Sequence, residues 1–333
     1  MTKILQVGLG PLGQKTVQFA VARGFQIVAA VDSSPNLIGQ DVGVVCGLKH
    51  MGVKIAPSIK EAVKPLEKNK KPDIAVVTTV SSLAKLESMV LDIAQIGLSI
   101  ISTCEELSFP WRAQPALAKK LDRLCKKYKI ALLGTGVNPG YLMDYLPTVL
   151  TAVSKKVDSI QVWRVQNASV RRIPFQQKIG AGLTLAEFNK KLKAGTLRHV
   201  GLAESVDFIA ARMGWKLTKK NESLKPVIAK TEILTGYKPI TIGMACGVQQ
   251  IGRGFIGKRE VITLHFRAAV GEEKSYDSIQ ITGDPMIRST IEGGINGDVA
   301  TCAITLNAIQ SVRLARPGLV TMSDIAAVAC SVN

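Results

Sequence analysis

A glycine-rich turn near the N-terminus is the first place where residue types and spacing could do chemistry. Gly8, Gly10 and Gly13 follow the order G-x-G-x-x-G, directly after the apolar run 4–7 and at the start of the helical pattern 11–23. In this context the first glycine permits a tight turn, the second lets the backbone approach a pyrophosphate, and the third lets helix and strand pack closely. The pattern predicts a dinucleotide-binding turn; the alternative is a glycine-rich turn without a ligand.

The residues around this turn extend the prediction to the rest of a dinucleotide. Pro11 has no N–H group, so the amide of Leu12 is the expected phosphate donor at the helix N-terminus. Asp32 ends the second strand about 20 residues after the motif, the place of a carboxylate that holds the adenosine ribose and favours NAD over NADP. Ser33 and Ser34 follow it and could tolerate a 2′-phosphate, so use of both cofactors stays open. The other interpretation of Asp32 is a turn or cap residue.

The end of a later predicted strand, 74–77, offers hydroxyl groups and amides to the same ligand. It continues into Thr78, Thr79 and Val80. We expect these residues to contact ribose and phosphate, because ligands of open α/β sheets bind at the carboxyl ends of the strands. One of the two serines that come next is also expected to cap the following helix.

Two adjacent carboxylates follow the next predicted strand, 98–101. Glu105 and Glu106 come after Thr103 and Cys104, which we expect to line a nicotinamide. A carboxylate there could stabilise a cationic amine or iminium and move its proton. Since neighbours in an extended chain point to opposite sides, only one should face the nicotinamide, and Glu105 is favoured because it lies nearer the strand. The alternative is that both are ordinary acidic residues of a helical first turn.

Two further glycine-bearing loops are candidates for contact with the substrate or the cofactor. The first follows the apolar run 130–133, and the second leads into a helix in the later half of the chain. A ligand amide could bind the asparagine of the first loop, although turn chemistry explains that residue equally well. Backbone amides of the second loop could bind a polar group of the substrate. The candidates are Asn138, Pro139 and Gly140 in the first loop and Gly180, Ala181 and Gly182 in the second.

These candidates need a sheet that brings strand ends to one edge, and residues 1–150 have the pattern of such a sheet. Short, continuous apolar runs alternate with helical stretches throughout this part of the chain. Strands that are apolar throughout have both faces covered, as in a parallel sheet flanked by helices. The alternation predicts an α/β fold with a doubly wound parallel sheet.

The pattern changes after residue 150. Segment 275–282 alternates polar and apolar side chains, which indicates a sheet with one wetter face, and two helical stretches interrupt this region. We therefore predict a dinucleotide-binding domain at 1–150, an α+β second domain at 151–297, and a C-terminal segment at 298–333. The periodicity of that last segment leaves open whether it packs back on the first domain.

The composition limits the classes of partner. The chain has 333 residues, and 43 Lys and Arg against 25 Asp and Glu give a net charge of +18. The lysines are dispersed, so a generally basic surface is favoured over a nucleic-acid footprint, and no specific nucleic-acid partner is expected. No apolar run reaches the roughly 18 residues of a membrane helix. Without a visible signal peptide, we expect a cytoplasmic protein with no membrane partner.

The cysteines and histidines argue against a metal site and against a disulfide framework. Six cysteines are widely spaced without a C-x-x-C pair, and the three histidines lie at no ligand spacing from one another. We therefore expect no bound metal, and thiols that are reduced and mostly buried.

A set of segments spread along nearly the whole chain carries a family resemblance. They are VGLGPLG, VDSSP, STCEELSFPW, GTGVNPGYLMD, KIGAGLT, and GDVATCAITLNAI with PGLVTM. Together they resemble the 2,4-diaminopentanoate dehydrogenases and the related native amine dehydrogenases, which are dihydrodipicolinate-reductase-like oxidoreductases. The resemblance implies a Rossmann domain, a second domain that binds substrate and forms a homodimer, and a C-terminal segment that returns to the Rossmann side. It also implies that a glutamate of STCEEL is the catalytic residue.

The activity that this resemblance implies is NAD(P)-dependent amine dehydrogenation. Asp32 in addition predicts that NAD is used at least as well as NADP. The partners are a small amine, or an aldehyde or ketone together with ammonia. One alternative is a dihydrodipicolinate reductase acting on a ring imine; true members carry a His-His pair where this chain has Gln176 and Gln177. The other alternative is a non-enzymatic NAD(P)-binding regulator, which gives the two glutamates no role.

Overall fold

The computed structural model describes residues 1–171, 173–197, 200–236 and 238–330. The described chain forms two compact units. Residues 1–141 and the chain from residue 296 onward make up the first unit, and residues 142–295 make up the second. Each unit is built on a sheet of its own.

The first unit begins as an alternation of strands and helices. Its strands are β1 (Lys3–Val7), β2 (Gln26–Val31), β3 (Ile55–Ala56), β4 (Ile74–Val77), β5 (Ile100–Ser102) and β6 (Ala131–Gly134). Its helices are α1 (Pro11–Ala22), α2 (Val42–Val45), α3 (Ile59–Val63), α4 (Leu83–Gln95), α5 (Pro110–Ala113) and α6 (Pro115–Lys127). Every residue of β4 and β6 is buried. Burial on both faces explains why these strands are continuous apolar runs.

The second unit is a mixed sheet with helices. Its helices are α7 (Tyr145–Leu150), α8 (Ile173–Lys178), α9 (Leu185–Lys193) and α10 (Leu202–Arg212). Its strands are β7 (Lys156–Asn167), β8 (Lys219–Ile228), β9 (Ala245–Ile256), β10 (Arg259–Ala269), β11 (Tyr276–Asp284) and β12 (Ile287–Glu292). The described strands run in the order β12-β11-β7-β10-β9-β8. Strands β7 and β10 are parallel, and their other neighbours are antiparallel.

The two faces of this mixed sheet differ. Helix α10 packs against β9 and β10 on one face, where a Cβ added to Gly252 would lie 3.2 Å from the side chain of Leu202. On the other face the half-buried rings of Trp163 and His265 are stacked, with centroids 5.4 Å apart. Polar and apolar side chains alternate along these strands because one face of the sheet is covered by a helix and the other is only half-buried.

The chain returns to the first unit after residue 295. The returning elements are α11 (Gly297–Asn307), α12 (Ile309–Arg313) and β13 (Gly318–Val320). Helix α11 packs against α1, and β13 pairs in parallel with β6. The side chain of Asn296 caps α11 by accepting from the amides of Asp298 and Val299.

The strand order of the first unit creates a switch point between β1 and β4. In the described chain the sheet runs β13-β6-β5-β4-β1-β2-β3 and is parallel throughout. The chain moves outward from β1 to β2 and β3, and then continues at β4 on the other side of β1. Ligands of such sheets bind in the crevice at the carboxyl ends of the strands at this point. The predicted α/β class, a doubly wound parallel sheet with a second α+β unit, is confirmed.

Candidate active site

The carbonyl group of Gly8 lies at the switch point and is held by two side chains. The amide of Gly8 donates to the carbonyl of Val31 at 2.8 Å, which extends the pairing of β1 with β2. Its carbonyl accepts from Gln6 Nε2 at 2.8 Å and from Thr78 Oγ1 at 2.9 Å. A Cβ on Gly13 would lie 2.1 Å from the same oxygen. A glycine at the third motif position is therefore required for the contact between the turn and α1.

Leu9, the next residue of the turn, is held in the same way. Its amide donates to Asp32 Oδ2 at 2.7 Å, and its carbonyl accepts from Gln14 Nε2 at 2.8 Å. The other oxygen of Asp32 accepts from the amide of Ser34 at 2.8 Å, while Ser33 is exposed. Asp32 is therefore a turn residue, as its alternative interpretation stated. Each of its oxygens still has a second lone pair, which a ribose hydroxyl could use.

The amides that these contacts leave available lie at the start of α1. The first helical hydrogen bond runs from the amide of Gln14 to the carbonyl of Gly10 at 2.9 Å. The amides of Leu12 and Gly13 therefore have no acceptor within the helix, and Pro11 has no N–H group. Apart from its chain neighbours, no described atom lies within 4 Å of a Cβ placed on Gly10. An anion thus has room to approach the backbone here.

The ends of β4 and β5 continue the same edge of the sheet. The amide of Thr78 donates to the last carbonyl of β1 at 2.8 Å, and the amide of Thr103 donates to the last carbonyl of β4 at 3.0 Å. Thr79 is exposed and Val80 is half-buried. The residues that follow β1, β4 and β5 and are predicted to contact the cofactor therefore lie along the same edge of the sheet.

The two adjacent glutamates lie in a 3₁₀ turn, Glu105–Leu107, and not in extended chain. The expectation that they point to opposite sides because the chain is extended is therefore wrong. Glu106 Oε2 accepts from the amide of Leu83 and from Gln114 Nε2, both at 2.9 Å. This carboxylate caps α4 from another element. The alternative of a serine cap is wrong for Ser82, the N-cap residue of α4, because its side chain makes no cap hydrogen bond.

Glu105 is half-buried and comes three residues after the end of β5. The preceding residue, Cys104, is 1% exposed, and burial raises the pKa of its thiol to about 12. A thiol with this pKa stays protonated at neutral pH and is a poor nucleophile. Cys104 therefore belongs to the hydrophobic core beneath this strand end and is not a nucleophile, and its expected place beside a nicotinamide stays a prediction.

The loop that follows β6 is tied to α11. The amide of Val137 donates to Thr301 Oγ1 at 3.2 Å. Gly140 has a φ of +120°, and a Cβ on it would lie 2.6 Å from a backbone nitrogen of the same loop. Asn138 is half-buried, whereas Pro139 and Gly140 are buried. Of the three predicted contacts, Asn138 is the one with a partly accessible side chain.

The glycine loop of the second unit uses its amides internally. The amides of Gly180, Ala181, Gly182 and Leu183 donate to the carbonyls of Gln177, Gln176, Ala245 and Gly180, at distances of 2.8 to 3.3 Å. The expectation that the amides of this loop are available to a substrate is therefore wrong, because each of them already donates to a backbone carbonyl. A contact of the loop with substrate has to use other atoms. A Cβ on Gly180 would lie 2.9 Å from both Phe188 and Leu197, so this glycine serves packing.

Three side chains that hold the first unit's edge were missed in the sequence, namely Gln6, Gln14 and Thr301. Gln6 left a signal, because it is a polar residue inside the apolar run 4–7. Gln14 and Thr301 left none, since a glutamine or threonine in a helix is ordinary and the partner is visible only in the fold.

The described residues hold no group of three or more His, Cys, Asp or Glu side chains that could bind a metal ion. In the same described chain, no helix combines the length and apolar character needed to cross a bilayer.

Two family models match the chain. One describes the 2,4-diaminopentanoate dehydrogenase C-terminal domain and matches residues 141–333, more than half of the chain. The other describes a CoA binding domain and matches residues 1–103. CoA and NAD share an adenosine diphosphate moiety, so the second match agrees with a nucleotide site in the first unit.

Individual relatives agree with these models. The chain is 29% identical to a 2,4-diaminopentanoate dehydrogenase of Acetoanaerobium sticklandii, over 97% of this chain and 93% of the relative. It is 38% identical over 56 residues to a 4-hydroxy-tetrahydrodipicolinate reductase of Acinetobacter baylyi, 16% of this chain and 20% of that protein. A solved amine dehydrogenase from Mycobacterium smegmatis has the same fold, with a TM-score of 0.86, 23% identity, and coverage of 99% and 97%. The chain therefore belongs to the 2,4-diaminopentanoate dehydrogenase family, and it is a dehydrogenase of that type, an oxidoreductase acting on CH–NH2 groups with an NAD(P)-binding fold.

Proposed function

We propose that this chain catalyses the NAD(P)-dependent oxidative deamination of a small amine and, in reverse, the reductive amination of an aldehyde or ketone with ammonia. The observation that carries this proposal is Glu105, a half-buried carboxylate that begins a 3₁₀ turn three residues after the end of β5. Strand β5 pairs with β4, and β4 pairs with β1, so Glu105 and the glycine turn belong to the same edge of one sheet. A carboxylate at this edge can stabilise a cation that forms beside the cofactor.

The groups of the first unit fit a dinucleotide. The amides of Leu12 and Gly13 and the open space at Gly10 suit the pyrophosphate, since a helix N-terminus attracts anions. Asp32 suits the adenosine ribose, and its negative charge opposes a 2′-phosphate. This supports NAD being used at least as well as NADP. When bound, the nicotinamide exchanges a hydride with the substrate; Thr103 is among the residues proposed to contact it.

Glu105 is proposed to act on the substrate in each direction. In deamination, the carbon that bears the neutral amine loses a hydride and becomes an iminium cation, which the carboxylate stabilises. Glu105 then takes a proton from the water that adds to the iminium carbon, and delivers it to nitrogen as the C–N bond breaks. The oxygen of water becomes the carbonyl oxygen, and its second proton passes by way of Glu105 to the departing ammonia, which leaves as ammonium. Amination follows the same steps in reverse.

Glu106 is proposed to be a positioning residue for this chemistry. Its carboxylate is bonded to the amide of Leu83 and to Gln114, so it fixes the 3₁₀ turn against the start of α4. This supports assigning the proton transfer to Glu105, which precedes it in the same turn.

The second unit is proposed to bind the substrate and to form a homodimer. The loop Gly180–Gly182 is the proposed substrate contact, through its carbonyls or its packing because its amides are committed. The open sheet face with Trp163 and His265 is the proposed contact with a second copy, since large stacked rings are usual at interfaces. Light scattering should give twice the chain mass of 35.7 kDa; a monomer at micromolar concentration would contradict the dimer.

A ring-imine reductase is the second candidate, favoured by the partial similarity to the tetrahydrodipicolinate reductase. In the region where true dihydrodipicolinate reductases carry a histidine pair, the side chain of Gln176 is buried and donates to the backbone carbonyls of Ala168 and Arg171. It therefore holds the local backbone, which argues for the amine dehydrogenase.

An assay of NADH consumption separates the two candidates. The chain is tested with small aldehydes and ketones in the presence and absence of ammonia, and with a ring imine alone. Consumption that requires both carbonyl and ammonia supports the proposal, whereas ammonia-independent reduction of the ring imine supports the second candidate. If CoA competes with NADH for the first unit and no substrate is turned over, the dinucleotide assignment is wrong.

A further inference from the structure

Gln6 is a polar residue in the core of the first sheet. It lies in β1 between Leu5 and Val7, and its exposed fraction is 0%. A buried side-chain amide is unfavourable unless it is hydrogen-bonded, so its partners show what holds it there.

The amide nitrogen of Gln6 donates to the glycine turn and to the residue that follows β4. Nε2 donates to the carbonyl of Gly8 at 2.8 Å and to Thr78 Oγ1 at 2.9 Å. The hydroxyl of Thr78 donates in turn to the same Gly8 carbonyl at 2.9 Å. The three groups form a closed network around one oxygen atom.

The orientation of the amide follows from this network. Within the described residues, Gln6 Oε1 is buried without a hydrogen-bond partner. Turning the amide over would place Oε1 against the Gly8 carbonyl and would lose both donated bonds. The side chain therefore leaves a buried acceptor unpaired in order to donate to the turn.

The Gly8 carbonyl transmits this contact to the start of α1. Its oxygen lies so close to Gly13 that a Cβ there would be 2.1 Å away. A shift of the carbonyl toward α1 would therefore press on Gly13 and displace the adjoining amide of Leu12. These are the amides assigned above to the pyrophosphate.

We propose that Gln6 is a positioning residue for dinucleotide binding, which sets the phosphate-binding amides through the Gly8 carbonyl without contacting the ligand. This inference rests on the proposed use of NAD(P)(H). It assigns a role in cofactor affinity to a residue outside the G-x-G-x-x-G motif.

The test uses two substitutions of the full chain and titration with NADH, followed by its fluorescence. Gln6→Met keeps the length and removes both donors. We expect its Kd for NADH to rise by roughly 10- to 100-fold, the equivalent of about one lost hydrogen bond to a charged group. Gln6→Glu also removes both donors at high pH, but burial raises the pKa of such a carboxyl, and its protonated form donates one hydrogen bond again. Its affinity should therefore recover as the pH falls from 8.5 to 6, whereas that of Gln6→Met should not.

The matched control is Gln250→Met in β9 of the second unit. Gln250 also has an exposed fraction of 0%, and its Nε2 donates to Glu222 Oε1 at 2.8 Å. This variant should lose thermal stability and keep the NADH affinity of the parent chain.

The outcomes separate the two proposals. If the parent chain does not bind NADH, the proposed function and the role of Gln6 both fail. If it binds NADH and Gln6→Met binds equally well, or Gln250→Met is weakened as much, only the role of Gln6 is overturned. Should Gln6→Met not fold, the pH response of Gln6→Glu decides: recovery at low pH supports the role, and its absence overturns it.

Discussion

The glycine turn of the first unit and the glycine loop of the second use their backbone groups in opposite ways. In the turn, side chains donate to the carbonyls of Gly8 and Leu9, and the amides of Leu12 and Gly13 are left without helical acceptors. In the loop Gly180–Gly182, each amide donates to a carbonyl of the same unit. A glycine-rich segment is therefore not by itself an anion site. It can bind an anion only where backbone N–H groups are left without an acceptor in the protein.

The helices that follow the two segments show the same contrast. Helix α1 has no side-chain cap and no acidic residue in its first turn. Helix α9 has a capping box, in which Thr184 and Glu187 bond each other's backbone amides. The N-terminus of α9 therefore already holds a carboxylate of its own, and that of α1 can receive an anion from a ligand.

If the edge of the first sheet performs the chemistry, the largest effect should come from Glu105→Gln. Loss of the carboxylate should lower kcat by roughly 10² to 10⁴, the usual contribution of general acid–base catalysis. The Kd for NADH should stay nearly unchanged, because the phosphates are held by the turn. Steady-state kinetics in the amination direction, together with an NADH titration, measure both quantities.

Glu106→Gln is the control for this prediction. Both donors share one oxygen of Glu106, and the amide oxygen of glutamine can still accept from Leu83 and Gln114, although without the negative charge. Stability should therefore fall modestly, and kcat should fall less than in Glu105→Gln. If Glu105→Gln keeps normal turnover and Glu106→Gln is inactive, the catalytic residue is Glu106 and not Glu105.

The next largest effect should come from Gly13→Ala. Its Cβ would lie 2.1 Å from the Gly8 carbonyl, so the turn and α1 must separate. We expect the Kd for NADH to rise by about 100-fold, the equivalent of about one to two lost hydrogen bonds to a charged group. Fluorescence titration measures it.

Gly180→Ala is the matched substitution in the second unit. Gly180 has a φ of +74°, and its Cβ would press on Phe188 and Leu197, so the chain should lose stability. Its NADH affinity should not change. If Gly13→Ala and Gly180→Ala lose NADH affinity equally, the conclusion that only the glycine turn of the first unit binds the dinucleotide is wrong.

The sequence predicted the first unit better than the details of its site. The strand at 74–77 and the glycine turn were readable because burial and the motif leave local patterns. The cap of α4 by Glu106 was not readable, since donor and acceptor are 23 residues apart and a nearby serine gave a plausible local cap.

The sequence also predicted that the amides of the loop Gly180–Gly182 are available to a substrate, and the second unit shows why this was wrong. The acceptor of the Gly182 amide is the carbonyl of Ala245, on a strand far along the chain. No local pattern reports such a partner. The capping box of Thr184 and Glu187 was visible in the sequence and would have indicated that α9 needs no external anion.

A smaller effect is expected from Asp32→Ala. The substitution removes the proposed ribose contact and also the acceptor of the Leu9 amide, so affinity for NAD should fall by about tenfold, the equivalent of a charge-assisted hydrogen bond. NADP should lose less, because the charge that opposes its 2′-phosphate is gone. Kinetics with both cofactors test this; a parent preference of more than about tenfold for NADP would contradict the role given to Asp32.

The smallest effect should come from Lys238→Met, which acts on the second unit's loop alone. Lys238 is half-buried, and its Nζ donates to the carbonyl of Gly182 at 2.7 Å. Methionine keeps most of the apolar stem and removes the donor, so unfolding should become easier by about 1 kcal/mol, the net value of one such hydrogen bond. Thermal unfolding measures that loss, and NADH titration should show an unchanged Kd, because no amide of this loop is assigned to the cofactor. A loss of NADH affinity as large as that of Gly13→Ala would mean that the loop holds the dinucleotide after all.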